Sequence, residues 1–188
     1  QCCSDSELYK ASIVGNEVNA VLKFGTTESK KINIKTRTTY DLHYESMVRN
    51  IYVFVFANGE KIYGHYFDEE DLDQTGNKEY WTVDNMSSDN TGTQTSGTLH
   101  LSVPTVQAEA EIVLVANIDL DFMNISEERL GLVRTKEELG KLVVSLNQEI
   151  PDRNAGYFMM TGWEENVTIS TDGIIYLPIA YIFDKKIK

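Results

Sequence analysis

The stretch that most limits what this chain can become is Ile51–Phe56, six consecutive β-branched and aromatic residues. Residues of these types fit a pleated, packed surface. The run is short and lacks good helix formers such as Leu, Ala and Glu. It stops at Asn58-Gly59, a pair that supplies the positive φ angles of a tight hairpin turn. Ile62 and Tyr63 then begin a return strand. A strand that is apolar on both faces must be covered on both, so this hairpin is expected near the centre of the fold.

Two further runs are apolar on both faces, Ile112–Ala116 and the stretch from Tyr157 to Trp163. Others alternate. From Glu17 to Phe24, the residues Val18, Ala20, Leu22 and Phe24 face one way and Glu17, Asn19 and Lys23 the other, with Val21 as the exception. That period of two is a half-buried strand. Ile32 and Ile34, flanked by Lys31, Asn33 and Lys35, predict another, and Leu99, Leu101 and Val103 a third. Tyr80–Val83 reads as a short strand, and Ser87 to Gly97, rich in Ser, Thr, Asn and Gly, as a surface loop. Val167–Ile169 and the run from Ile174 to Phe183 follow, and Pro178 places the latter at an edge or a bulge because proline cannot donate to a ladder. One helix is signalled between strands. Thr135 and Glu138 form a capping box, and Leu139, Leu142, Val143 and Leu146 share one face up to about Asn147. Short strands at close spacing with one helical excursion make an all-β sandwich or barrel. Residues 1–16 are polar and without period, a tether; residues 17–188 read as a single domain.

The chemistry-bearing residues are sparse. The chain carries 29 acidic against 17 basic residues, a net charge of -12, which excludes the clustered cations that nucleic-acid binding needs. The run from Asp68 to Asp73 lacks the spacing of a calcium loop and reads as solvated. Asp119 and Asp121 flank a turn with no third ligand in view. His43, His65 and His100 are far apart, and no zinc, nucleophile-elbow or phosphate-loop motif occurs. No catalytic, metal or cofactor site is expected, and hence no enzyme. The only cysteines are adjacent, Cys2 and Cys3, a spacing too strained for an ordinary disulfide. At the head of a chain and followed by Ser4-Asp5-Ser6-Glu7, one of them fits the lipidated cysteine of a bacterial lipoprotein. No run approaches the ~20 apolar residues of a membrane-spanning helix.

Several landmarks in order carry a resemblance. They are Cys3-Ser4-Asp5, Ile34-Lys35-Thr36-Arg37, the run from Val48 to Phe56 with its Asn58-Gly59 turn, the run from Ala110 to Asn117, the helix with Leu139, and Phe158-Met159-Met160-Thr161-Gly162. The chain resembles the N-terminal domain of the Bacteroidales fimbrillin family, the subunits and anchors of type V pili. The resemblance implies a transthyretin-like β-sandwich, usually followed by a second domain, and export as an outer-membrane lipoprotein to the cell surface. It also implies assembly with other fimbrial subunits by β-strand exchange. In shaft subunits a protease cuts after an Arg beyond the first strand, and a strand from a neighbour takes that strand's place. Arg37 stands at the matching position, so the replaceable strand would be the one carrying Val18, Ala20, Leu22 and Phe24. The segment before Phe183 departs from the family by lacking a basic residue. The alternative is an adhesin module on the same scaffold that binds a host protein or glycan, which an exposed pair of Trp81 and Trp163 would favour.

Overall fold

The computed structural model describes residues 17–26, 48–89, 92–105, 107–118, 126–147, 159–171 and 173–181. The expected tether, Cys2, Cys3, the Ile32–Ile34 strand, Arg37, His43 and the Asp119–Asp121 pair lie outside them.

Eight strands are described: β1 (Val18–Thr26), β2 (Ile51–Ala57), β3 (Glu60–Phe67), β4 (Tyr80–Asp89), β5 (Gly92–Val103), β6 (Gln107–Ala116), β7 (Met160–Ile169) and β8 (Ile174–Tyr181). They hydrogen-bond in the order β3-β2-β6-β7-β8-β1-β5-β4. This ribbon folds over at β7–β8, which pair only through Met160–Tyr181 and Thr161–Ala180. The result is a sandwich of sheet B (β3-β2-β6-β7) on sheet A (β8-β1-β5-β4). The corner is tight because Gly162 lets Leu177, Pro178 and Ile179 approach its backbone, where any Cβ would collide.

The core follows the period of two. Val18, Leu22 and Phe24 of β1, Leu99 and Leu101 of β5 and Leu177 of β8 pack against Ile51, Val53 and Val55 of β2 and Ile112 and Leu114 of β6. β2 and β6 are apolar on the other face too, because a third layer covers it. Two helices, α1 (Glu127–Gly131) and α2 (Lys136–Asn147), lie there. Leu130, Leu139 and Val143 pack on Tyr52, Phe54, Phe56, Val113 and Val115. The rings of Tyr52 and Phe54 stack with centroids 4.2 Å apart. Thr135 caps α2, accepting from Glu138 N–H at 3.2 Å. Lys136 fixes the start of the helix to the sheet, 2.8 Å from Glu111 and 3.6 Å above the ring of Trp163.

The hairpin turn is as expected: Asn58 and Gly59 have φ of 52° and 82° between Ala57 and Glu60, which pair. Polar side chains extend the pairing of β2 with β6 past the strand ends. Asn50 bonds both ways with the Ile118 backbone at 2.8 and 3.0 Å, and Arg49 N–H donates to the Asn117 side chain at 2.8 Å.

Three expectations are corrected. Ser87–Asp89 and Gly92–Gly97 are not loop but paired strand, part of a β4–β5 ladder from Tyr80–His100 to Asp89–Gly92 whose register shifts between Val83 and Asn85; Thr suits strands as well as loops. Trp163 and Val167 belong to one strand, β7, whose irregularity at Asn166, with φ of 55°, imitates a break. Tyr157 and Phe158 lie outside the described residues. There is a second helix, α1, too short to show a period but capped by Ser126. Pro178 fits the edge expectation, since it lies on the outer strand of sheet A, where β8 pairs with β7 only at Ala180 and Tyr181. The proline is tolerated because the two-pair ladder to β7 stops short of it.

Covering β2 on its outer face is the helices' structural work. Leu139→Ala, at a position 3% exposed, is therefore expected to cost about 2–4 kcal/mol in urea unfolding. Leu132→Ala, at a position 61% exposed, should stay within about 0.5 kcal/mol.

Candidate functional site

β1 occupies a slot. On one side it pairs antiparallel with β5, from Val18–Val103 to Gly25–Ser96. On the other it pairs parallel with β8, from Val21–Ile174 to Thr26–Ile179. Its inward residues Val18, Ala20, Leu22 and Phe24 are all buried, none more than 3% exposed. The structure thus brings together on one face the four residues that the alternating pattern singled out. The floor of the slot is the inner face of sheet B.

The two ends of β1 are held differently. At the start, Glu17 accepts from Lys78 at 3.1 Å and from Ser102 at 3.3 Å, out in solvent. The Lys78 ammonium holds the Glu17 carboxyl below the usual carboxylate range, but an exposed pair of this kind is screened and easily undone. At the end, Thr26 is buried and its hydroxyl accepts from the Thr95 backbone N–H at 2.9 Å. Phe24 lies over Gly97, with Trp81 at a ring distance of 6.4 Å.

The acidic run beside this end is structural. Asp68 caps a single 3-10 turn, Glu69–Asp71, accepting from Glu70 and Asp71 N–H groups. Its carbonyl accepts from Trp81 Nε1 at 2.7 Å. Among the described residues no group of three His, Cys, Asp or Glu side chains could hold a metal ion. His65 lies 3.7 Å from Glu79 and 3.8 Å from Asp71, and Tyr63 donates to Glu79. Burial first, and that bond second, push the Tyr63 phenol far up from its ordinary value.

Neither free edge of the ribbon is bare. Thr135 bridges to Glu60 on β3, and Lys61 N–H donates to Arg134 O at 2.7 Å. On β4, Leu72 bridges to Trp81, and Asp73 N–H donates to Trp81 O at 2.8 Å. Trp81 is buried at 1% exposure, and Trp163 is half-buried beneath Lys136. They do not form the exposed aromatic pair that a glycan-binding surface would use.

The sequence profile of the major fimbrial subunit protein (FimA) family matches residues 17–177. The chain belongs to that family. The resemblance drawn from the order of its strands is borne out, and the family is one of structural fimbrial subunits, not of enzymes. Among solved structures, the chain is similar to a fimbrial assembly protein from Parabacteroides distasonis, at 15% identity and a TM-score of 0.43, over 87% of this chain and 52% of that one. It is similar to a fimbrilin from Porphyromonas gingivalis at 14% identity and a TM-score of 0.42, over 88% and 40%. A third, described as a putative cell adhesion protein from Parabacteroides distasonis, matches at 16% identity and a TM-score of 0.44, over 87% and 40%. The chain thus spans about half or less of the length of these proteins. No protein of curated function matches it. Among the described residues no helix is long and apolar enough to cross a membrane.

Sequence reasoning found β1 but not the walls of its slot. Gly97, Thr95 and β8 gave no signal as partners of β1, because the antiparallel pairing with β5 and the parallel pairing with β8 both join residues far apart in sequence and leave no local pattern.

His100 sits on the outer side of the slot, paired with Val21 and stacked on Tyr80 with centroids 4.1 Å apart. Burial lowers its pKa from the usual 6.5, against a smaller opposing pull from Asp84. The unfolded chain therefore takes up this proton first as pH falls, so this contribution to stability is complete above the unfolded value and is lost as pH drops from 6.5 toward the folded value. Urea melts across that window should show a falling midpoint that His100→Gln flattens.

Proposed function

We propose that the chain is a structural subunit or anchor of a pilus at the cell surface, exported as an outer-membrane lipoprotein on Cys2 or Cys3. Assembly proceeds by replacing β1, after cleavage following Arg37, with a strand from a neighbouring subunit. The observation that carries this reading is the position of β1. It comes first among the described residues, yet it lies inside sheet A, between β5 and β8. A single segment, 27–50, links it to β2. A cut after Arg37 severs that link and no described element of the sandwich.

Departure of β1 alone is unfavourable. Each of Val18, Leu22 and Phe24 contributes roughly 1.5–3 kcal/mol by burial. Backbone groups of β5 and β8 would also lose their partners beside an opened core. An incoming strand restores both: its backbone supplies affinity and its alternating side chains set the register. The partners are other fimbrial subunits in the slot and outer-membrane lipid through the acylated cysteine; nucleic acid is not among them.

Limited trypsin digestion of the full chain should cut after Arg37 and leave β1 bound. Added donor strand should then release the fragment that carries β1, seen by size exclusion and mass spectrometry. A nicked chain that never gives up β1 to any donor sinks the shaft-subunit form and leaves only an uncut anchor. Protein extracted from membranes of the native host should carry a diacyl or triacyl mass on Cys2 or Cys3; an unmodified terminus would overturn the lipoprotein assignment.

A further inference from the structure

Three levels of the slot pair side chain with side chain: Val18 opposite Val103, Ala20 opposite Leu101 and Leu22 opposite Leu99. At the fourth level Phe24 faces Gly97, which brings none. The ring fills the space that a side chain on β5 would take, so that a Cβ on Gly97 would collide with Phe24 Cζ and with Thr82 O. Two further residues wall this seat. Trp81 lies at 42° to the Phe24 ring and is tied through Nε1 to the Asp68 carbonyl. Leu177 flanks Phe24 on the β8 side. Walls made of strand backbone and a hydrogen-bonded indole cannot collapse into a void, which is the condition under which a missing side chain costs most.

Two residues on, Thr26 serves a second need. The Thr95 backbone N–H that it accepts from is buried, as is Thr95 itself at 2% exposure. Thr95 Oγ1 has no hydrogen-bond partner among the described residues. An occupant without an acceptor at this level would leave the buried N–H unpaired as well.

We propose that the slot selects its strand by an aromatic side chain two residues ahead of a hydroxyl residue. The aromatic fills the space over Gly97, and the hydroxyl accepts from Thr95 N–H. The occupant runs antiparallel to β5, as β1 does, because a reversed strand would carry its aromatic to the Val103 end. Ahead of the aromatic, an aliphatic residue occupies the Leu22 level and a small one the Ala20 level. This selection rests on the strand-replacement reading above and adds to it the chemistry of the strand accepted.

The test uses the full chain nicked after Arg37 and a fluorescent peptide with the sequence of β1, Val18–Thr26. Unlabelled peptides compete for the slot, read by fluorescence anisotropy. The Phe24→Ala peptide should compete roughly 100-fold more weakly than the parent peptide. The Thr26→Val peptide should be weaker by about 10-fold. The Asn19→Ser peptide, altered on the exposed face, should stay within about twofold. An alanine peptide that competes within about threefold of the parent overturns the proposal while leaving strand replacement intact. Failure of the labelled parent to enter at all overturns both.

Discussion

Sheet A is joined through a strand from the start of the described chain. β8 and β5 lie on either side of β1 and meet only through it, one in parallel and one in antiparallel register. Parallel pairs need long crossovers, and here the crossover is nearly the whole molecule. Sheet B and both helices form between the two partners in sequence. The last described strand pairs along β1 from Ile174 to Ile179 and with β7 only at Ala180 and Tyr181. The integrity of the sandwich therefore depends on a slot being filled, and the strand that fills it is joined to β2 through one segment, 27–50.

Sheet B has no such dependence. β2 and β3 are joined by a two-residue turn, and β6 pairs with β2 from Ile51–Ala116 to Phe56–Glu111. β2 and β6 are buried on both faces by the sandwich core and by the helices. The helices cover Tyr52, Phe54 and Phe56, so the outer face of sheet B is buried independently of β1, which the exchange proposed above would require.

Much of this could be read from residues. Ile51–Phe56 with Asn58-Gly59 gave a hairpin, the alternation from Val18 to Phe24 gave the face that enters the core, and Thr135 with Glu138 located the helix. These are local signals, carried by periodicity and turn chemistry. What could not be read is long-range or negative. The parallel partner of β1 leaves no local mark. Gly97 reads in sequence as a loop glycine, whereas its role is to lack a side chain opposite Phe24. Ser and Thr in β4 and β5 looked like a loop because their hydroxyls suit both states. In β7 the positive φ at Asn166 interrupted the pattern and made one strand look like two. The Asp68 run illustrates the converse. It read as a solvated run, but its geometry spends Asp68 on capping a turn and on holding Trp81 in place.

That last connection bears on how β1 could leave. Its two ends are unequal. The Glu17 end is held by an exposed ion pair and by Val18, whereas the Thr26 end combines a buried hydrogen bond with the ring over Gly97 and Trp81 behind it. Separation from the Glu17 end exposes small and medium side chains first and reaches Phe24 last. Separation from the other end must break the strongest contacts before anything is gained. In the exchange proposed above, an incoming strand that followed the retreating end would pair with Val103, Leu101 and Leu99 in turn while Phe24 still closed the core, and the aromatic exchange over Gly97 would be the final step.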